Sequence, residues 1–190
     1  MNSTREFVVE RFSTLLGIPA TDKICTDLEK CILNHSHDRC RSQPAWDNPH
    51  FTSIYKHKFL SIQKCLINSE ELKEKIHISL QKPLEDWSNL ILEPTFVYGI
   101  RVYQEGSLLI PHRDRENTHI ISAIINVAQE IEEEWPLIIE DHFYRKHEVV
   151  LKPGEVIYYE SSKLLHGRPI PLKGKSFANV FCHFMPKDEL

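Results

Sequence analysis

The sequence has few of the residues on which several common kinds of site depend. Its six glycines leave little material for a glycine-rich phosphate loop, and no such loop motif is present. Its five cysteines are scattered and form no Cys-x-x-Cys pair, which argues against a zinc site or a disulfide framework. No apolar run approaches about 18 residues, so we expect no membrane span.

The sequence also has no excess of basic over acidic residues. The chain has 23 basic and 27 acidic residues, for a net charge of −4, and shows no basic tail or patch of the size that nucleic-acid-binding proteins use. These features disfavour nucleic acid as a partner. The overall composition, 41% hydrophobic and 26% charged, is that of a globular protein, and the length fits a single domain over residues 1–190.

The two ends of the chain give conflicting indications of compartment. Residues 187–190 spell Lys-Asp-Glu-Leu, the signal that retains proteins in the lumen of the endoplasmic reticulum. The first sixteen residues include four charged side chains where a signal peptide would be apolar. The tetrapeptide suggests the lumen and the missing leader suggests the cytoplasm, so the sequence leaves the compartment open.

The first half of the chain has the apolar spacing of helices. Residues 3–16, 21–36, 51–68 and 69–81 each place apolar side chains on one face. Residues 35–50 are polar and predict a loop, which is either an ordinary surface loop or a lid over a site. We therefore predict a helical support region over residues 1–90.

The pattern changes after Pro83 to that of strands. Alternating or β-branched apolar runs occupy residues 95–104, 118–128, 135–142, 147–161 and 174–185. The connections between them are short, and none is a helix long enough for a crossover between parallel strands. These runs predict an α+β protein in which an antiparallel sandwich or barrel over residues 91–190 packs against an N-terminal helical layer.

Residues 108–117, "LLIPHRDREN", contain the tripeptide His112-Arg113-Asp114, which has two interpretations. A protein kinase would continue with Asn five residues after the Asp, but Asn117 is only three residues after it, and no Asp-Phe-Gly motif occurs. In an iron oxygenase, His-x-Asp supplies two of three metal ligands. Because residues i and i+2 of a strand point to the same face, His112 and Asp114 could bind one metal.

A third ligand would have to come from another strand, and His166 lies at the end of the predicted strand that begins at Glu155, after the turn over residues 152–155. Two histidines and one carboxylate on one side of an iron leave positions for a chelating cosubstrate and dioxygen. The His-x-acid triplet alone is weak evidence, since roughly one or two would occur here by chance. Lys173 and Lys175 follow His166, either as an anchor for a distal carboxylate or as a solvated pair beside a turn.

With these residues in place, the sequence resembles the Fe(II)- and 2-oxoglutarate-dependent dioxygenases, specifically the prolyl 4-hydroxylase-like branch. The family pattern is His-x-Asp, a distal His, and a Lys or Arg about nine or ten residues later, here carried by His112, Asp114, His166 and Lys175. A Tyr nine residues before the first ligand is also seen in this branch, and Tyr103 occupies that position. The resemblance covers roughly residues 94–186.

The resemblance implies a double-stranded β-helix, the jelly-roll fold also called cupin-like, with iron bound by His112, Asp114 and His166. It further implies that 2-oxoglutarate chelates the iron while Lys175, assisted by Tyr103, binds its distal carboxylate. Dioxygen would be the oxidant, and ascorbate an accessory reductant. Two departures concern finer contacts: Leu109 stands where many relatives have a second Tyr, and residues 130–135 replace a Gly-Gly pair.

The implied activity is hydroxylation of an unactivated C–H bond, and the closest branch suggests a prolyl residue of a protein or peptide substrate. Two alternatives are a nucleic-acid base oxygenase of AlkB type and a barrel that binds a partner without catalysis. The Arg-x-Asn-x-x-x-x-x-Arg tail of the AlkB type is absent. Further candidate contacts to substrate or cosubstrate are Arg168, Lys173 and Arg101.

Overall fold

The computed structural model describes residues 70–187, together with residues 7–11 and 59–60. These residues contain one helix, α1 (Glu70–Ser88), and ten strands: β1 (Phe7–Arg11), β2 (Phe59–Leu60), β3 (Leu92–Gln104), β4 (Leu109–His112), β5 (Ile121–Ile131), β6 (Leu137–Glu140), β7 (Lys146–Val149), β8 (Glu155–Tyr159), β9 (His166–Arg168) and β10 (Gly174–Pro186).

The strands form two antiparallel sheets. The larger sheet has the order β1-β8-β5-β10-β3-β2, and the smaller has the order β4-β9-β6-β7. Between the sheets lies a shared core in which Ile124 and Ile157 of the larger sheet pack with Leu137 and Ile139 of the smaller. This architecture confirms the predicted α+β fold with a two-sheet, double-stranded β-helix core.

Helix α1 covers the outer face of the larger sheet. Ile76, Leu80 and Leu84 recur every four residues, and all three side chains are fully buried. They pack in one cluster with strand residues that include Val180 and Phe184 of β10. Each such side chain contributes about 1.5–3 kcal/mol by leaving water, so the helix fixes the central strand that carries part of the cavity wall.

Three predictions for the first half of the chain are corrected. Residues 7–11 form β1, which pairs with β8, and residues 59–60 form β2, which pairs with β3. Short apolar runs fit a helix or a strand equally well by periodicity, and pairing with an existing sheet edge decides in favour of the strand. Helix α1 confirms the helix predicted over residues 69–81, but it continues beyond Pro83, because Leu84 and Trp87 extend its buried face.

The remaining parts of the predicted helical region, the loop over residues 35–50 and the last three residues of the Lys-Asp-Glu-Leu sequence lie outside the described residues. The division into a support region over residues 1–90 and a core over residues 91–190 stays a prediction. Over the described part of the chain, no helix combines the length and the apolar character needed to cross a membrane.

Candidate metal centre

The two-sheet core brings the three predicted metal ligands together. His112 ends β4 and His166 begins β9, and these two residues face each other as partners in the antiparallel pair. Asp114 lies two residues beyond β4, where its backbone N–H donates to the carbonyl of Ser161 at 2.9 Å. One ligand atom from each of the three side chains lies within 4.8 Å of the others. Strand pairing therefore closes a gap of more than fifty residues along the sequence.

Backbone carbonyls orient both imidazoles of this cluster. His112 Nδ1 donates to the carbonyl of Ile110 at 2.8 Å, and His166 Nδ1 donates to the carbonyl of Leu164 at 2.9 Å. With Nδ1 protonated, Nε2 of each ring keeps its lone pair. The Nε2 atoms lie 3.5 Å and 3.9 Å from Oδ1 of Asp114. Such hydrogen bonds to the far ring nitrogen are typical of histidines that bind metals.

The electrostatics of the cluster favour the protonation states that a metal requires. Burial raises the pKa of Asp114, but the interactions of its carboxylate with His112, His166 and His183 outweigh the effect of burial and hold that pKa well below its ordinary range. Burial lowers the pKa of His166 to about 4. Near neutral pH the carboxylate is therefore anionic and the His166 ring is neutral, so His166 offers a metal no competing proton.

The cluster lines a cavity of about 130 Å³. Its apolar and aromatic lining comes from both sheets and comprises Tyr98, Leu109, Ile124, Tyr159 and Phe181. Its remaining lining is basic or imidazole in character and comprises Arg101, Arg113, Arg115, His119 and His183. Among the described residues that line it, Asp114 is the only carboxylate.

Arg168, one of the further candidate contacts, is buried in the barrel interior. It follows His166 by two residues on β9, and its strand partner is Leu109 of the cavity wall. Its guanidinium lies over the rings of Trp135 and Phe177, with its carbon 4.7 Å and 4.6 Å from their centroids. Nη1 donates to the Trp135 carbonyl, while buried Nη2 has no hydrogen-bond partner among the described residues.

The charge of Arg168 is likewise unmatched. Within the described part of the chain, no carboxylate pairs with its guanidinium, although the side chain is almost completely buried. Burial lowers the pKa of Arg168 to about 10, and the nearby hydroxyls of Tyr103 and Tyr159 oppose that change. Arg168 therefore remains a cation at neutral pH and would gain from an anion beside it.

The structure does not bring Lys175 to the cavity. Its side chain is 76% exposed, and its ammonium lies 3.0 Å from a carboxylate oxygen of Glu130. A register irregularity between Gly174 and Ser176 interrupts the alternation of side chains at the start of β10. Lys173 is also exposed and forms an ion pair with Glu133 at 2.7 Å. The spacing of nine residues from the distal histidine thus does not supply the expected buried ammonium.

Tyr103 and Arg101, the other two candidates on β3, lie on the inside of the sandwich. Tyr103 is buried and contacts the edge of Trp135, with ring centroids 5.1 Å apart. Arg101 lines the cavity and places its guanidinium over Phe181, 5.0 Å from the ring centroid. Tyr103 therefore shares the aromatic environment of Arg168, and Arg101 lies nearer the metal cluster.

Two further histidines in the cavity wall were not predicted from the sequence. The rings of His119 and His183 stack with centroids 3.9 Å apart. Nδ1 of His183 lies 2.6 Å from Oγ of Ser122, which lies 2.6 Å from Oγ of Ser161. The sequence feature that could have identified them is a histidine within an apolar strand, as in "THIIS" and "FCHFM". A buried imidazole at such a position needs a specific polar partner.

Comparisons with known proteins find similarity in structure only. No protein-family model matches the chain, and no curated protein sequence does either. Among solved structures, a 2OG-Fe(II) oxygenase family member from Burkholderia pseudomallei matches with a TM-score of 0.51 at 10% identity, over 62% of this chain and 59% of that chain. The matched part thus spans less than two thirds of that protein.

Two other structures match over nearly the whole chain. A prolyl hydroxylase from Trichoplax adhaerens, in complex with a peptide fragment of hypoxia inducible factor, gives a TM-score of 0.63 at 12% identity, over 95% of this chain and 84% of that one. HygX from Streptomyces hygroscopicus, with nickel and 2-oxoglutarate bound, gives a TM-score of 0.60 at 13% identity, over 96% of this chain and 83% of that one. The chain therefore shares its fold with 2OG-Fe(II) oxygenase structures.

Proposed function

We propose that the protein is an Fe(II)- and 2-oxoglutarate-dependent dioxygenase that hydroxylates an unactivated C–H bond. The observation that carries this proposal is the convergence of His112, Asp114 and His166 in one cavity, with their ligand atoms within 4.8 Å of one another. Two imidazoles and one carboxylate form the donor set typical of non-haem Fe(II) oxygenases. When bound, the iron supplies the activation of dioxygen that the oxidation needs.

The chain's own contribution at this centre is to fix the ligands before the metal arrives. The carbonyls of Ile110 and Leu164 hold the two rings in the orientation that presents Nε2. The Ser161 carbonyl holds the backbone of Asp114. Leu109, Ile124 and Phe181 give the cavity apolar walls, which limit the access of water to reactive species.

We further propose that Arg168, rather than Lys175, binds the distal carboxylate of 2-oxoglutarate. A buried guanidinium with an unpaired Nη2 and no acidic partner among the described residues is a site that an anion stabilises. The Arg fork suits a carboxylate because it can donate two parallel hydrogen bonds. Tyr103 and Tyr159 lie close enough to raise the pKa of Arg168, so their hydroxyls would lie near the same carboxylate of 2-oxoglutarate.

The substrate of the proposed reaction is a prolyl residue of a protein or peptide, with dioxygen as oxidant and ascorbate as accessory reductant. Support comes from the sequence motifs of the prolyl 4-hydroxylase-like branch and from the fold shared with a prolyl hydroxylase crystallised with a peptide. A base oxygenase of AlkB type has less support, since the net charge of −4 does not favour binding to nucleic acid.

Succinate release from 2-oxoglutarate tests this function. The wild-type protein should form succinate in the presence of Fe(II), with stimulation by a proline-containing peptide, and His166→Ala should abolish the reaction. His142→Ala is the matched control, because His142 is a partly exposed histidine paired with Glu160 outside the cavity. Stimulation by single-stranded DNA instead of peptide would favour the AlkB type, and no succinate under any condition would favour a non-catalytic barrel.

A further inference from the structure

The metal ligand Asp114 lies between two arginines in the sequence, and both arginines line the mouth of the cavity. Arg113 and Arg115 are exposed, yet each contributes to the cavity wall. Nε of Arg113 donates to the carbonyl of Lys163 at 2.8 Å, which holds this guanidinium at the edge of the opening. Among the described residues, neither arginine forms an ion pair. We call Arg113 and Arg115 the basic rim.

A wall of aromatic and imidazole rings in contact with one another continues from the rim into the cavity. Tyr98 lies against His119 and His183, with ring centroids 5.7 Å and 5.4 Å away. On the outer side Tyr98 stacks on Phe96 at 5.6 Å, and Phe96 is 42% exposed. The ring wall thus runs from solvent to the metal cluster and offers flat faces to a bound residue.

Positive charge predominates among the described residues that line the cavity. Arg101 adds a third guanidinium to the lining, and Asp114 is the only carboxylate among the described residues that line the cavity. The carboxylate of Asp114 faces the two histidines of the metal cluster, so it neutralises little of the positive charge of the rim. The protein as a whole carries a net charge of −4, which makes a local positive opening a selective feature rather than a general property of the surface.

We propose that the basic rim selects an acidic peptide segment, in which carboxylate side chains next to the target residue bind Arg113 and Arg115. The target residue itself would lie against the ring wall formed by Tyr98, His119 and His183. This proposal deepens the proposed function and rests on it for the position of the reacting residue. Opposite charges across such a rim set partner choice and association rate, and like charges exclude the wrong partner.

Peptide binding without turnover provides the test. The full chain is loaded with nickel and 2-oxoglutarate, and fluorescence anisotropy measures its affinity for three labelled peptides. Each has one central Pro, flanked on both sides by Glu, Gln or Lys. Two exposed Arg–carboxylate pairs predict that the Glu peptide binds about tenfold more tightly than the Gln peptide. The Lys peptide should bind more weakly than both, and added salt should reduce the differences.

Charge-matched variants assign the effect to the rim. The double variant Arg113→Gln with Arg115→Gln should reduce the preference for Glu over Gln to less than about twofold. The double variant Lys146→Gln with Lys152→Gln removes two positive charges from exposed positions that do not line the cavity, and it should leave the preference unchanged. A preference that survives in the double variant of Arg113 and Arg115 would overturn the assignment to the rim.

Other outcomes also decide the proposal. Equal or tighter binding of the Lys peptide would overturn it, and so would complete displacement of the Glu peptide by inorganic phosphate at equal charge concentration, which would indicate a small anionic substrate. Calorimetric titration of the same protein with 2-oxoglutarate separates the claim about the basic rim from the proposed oxygenase function. Glu preference without 2-oxoglutarate binding would keep the rim and refute the oxygenase, whereas 2-oxoglutarate binding without Glu preference would do the reverse.

Discussion

Replacing Arg168 by Met removes a charge that no carboxylate of the described residues matches, while keeping a side chain of similar length. The pKa of Arg168 falls from 12.5 to about 10 on burial, and each pKa unit corresponds to about 1.4 kcal/mol. The cation thus destabilises the cosubstrate-free fold by an amount on the order of 3 kcal/mol. Because the folded pKa lies below the unfolded value, this cost applies at every pH below about 10.

Arg168→Met should therefore change the stability of the free protein little and weaken the complex with 2-oxoglutarate strongly. Loss of the hydrogen bond from Nη1 leaves the Trp135 carbonyl unpaired, which costs about 1–3 kcal/mol. Relief of the buried charge offsets this, so the free energy of unfolding without cosubstrate should change by less than about 2 kcal/mol. Affinity for 2-oxoglutarate should fall about a hundredfold, or about 2.7 kcal/mol, because the ligand loses its charged partner.

Thermal unfolding with and without 2-oxoglutarate measures both effects in nickel-loaded protein. At a concentration of 100 times its Kd, the cosubstrate should stabilise the wild type by about 2.7 kcal/mol and the variant by very little. Lys175→Met makes the same chemical change at a largely exposed position, and it should retain the full stabilisation. Wild-type affinity in Arg168→Met, together with a large loss in Lys175→Met, would refute the reasoning and return the anchor to Lys175.

Two further predictions concern the framework around the centre. In Gly167→Ala, the added Cβ would lie 2.7 Å from the backbone nitrogen of Pro111, so β4 and β9 should separate and metal affinity should fall at least about tenfold by calorimetry. Gly154→Ala strains the backbone of a turn, because Gly154 has a φ of 86°, but its Cβ meets no atom within 4 Å, so it should retain the metal affinity even where it lowers stability. Burial raises the pKa of Asp141, but hydrogen bonds from Phe143, Arg145 and His147 to its carboxylate outweigh this and hold the pKa below the ordinary range. The stability from Asp141 is therefore present above about pH 4 and lost on acidification. Asp141→Asn should be less stable than the wild type at pH 7 in urea unfolding, and the difference should shrink toward pH 2.

The convergence of the three candidate metal ligands could be predicted because it depends on the spacing of residues along a strand and on the pairing of that strand with one neighbour. His112 and Asp114 needed only a two-residue spacing near the end of a strand, and His166 needed only a neighbouring strand. Strands β3, β5 and β10 could be predicted for the same reason, since their apolar runs are long. Neither the spacing of these ligands nor the long apolar runs depend on an irregularity in strand register.

The proposed role of Arg168 as the cosubstrate anchor could not be predicted in this way. Counting nine residues from His166 assumes regular strand alternation, and the irregularity between Gly174 and Ser176 breaks that assumption. The unmatched state of Arg168 depends on which side chains surround it, and that is fixed only by tertiary packing. The prediction of helices at the positions of β1 and β2 was wrong for a related reason. The conformation of these residues follows from pairing with β8 and β3.

Anaerobic calorimetric titration tests the central claim most directly. We predict that the wild-type chain binds one Fe(II) and that 2-oxoglutarate then binds with one-to-one stoichiometry to the metal-loaded protein and not to the metal-free protein. His166→Ala should weaken iron binding at least about a hundredfold and abolish the second step, whereas His142→Ala should reproduce the wild type. Iron binding by His166→Ala with wild-type affinity, or equal 2-oxoglutarate binding with and without iron, would contradict the account.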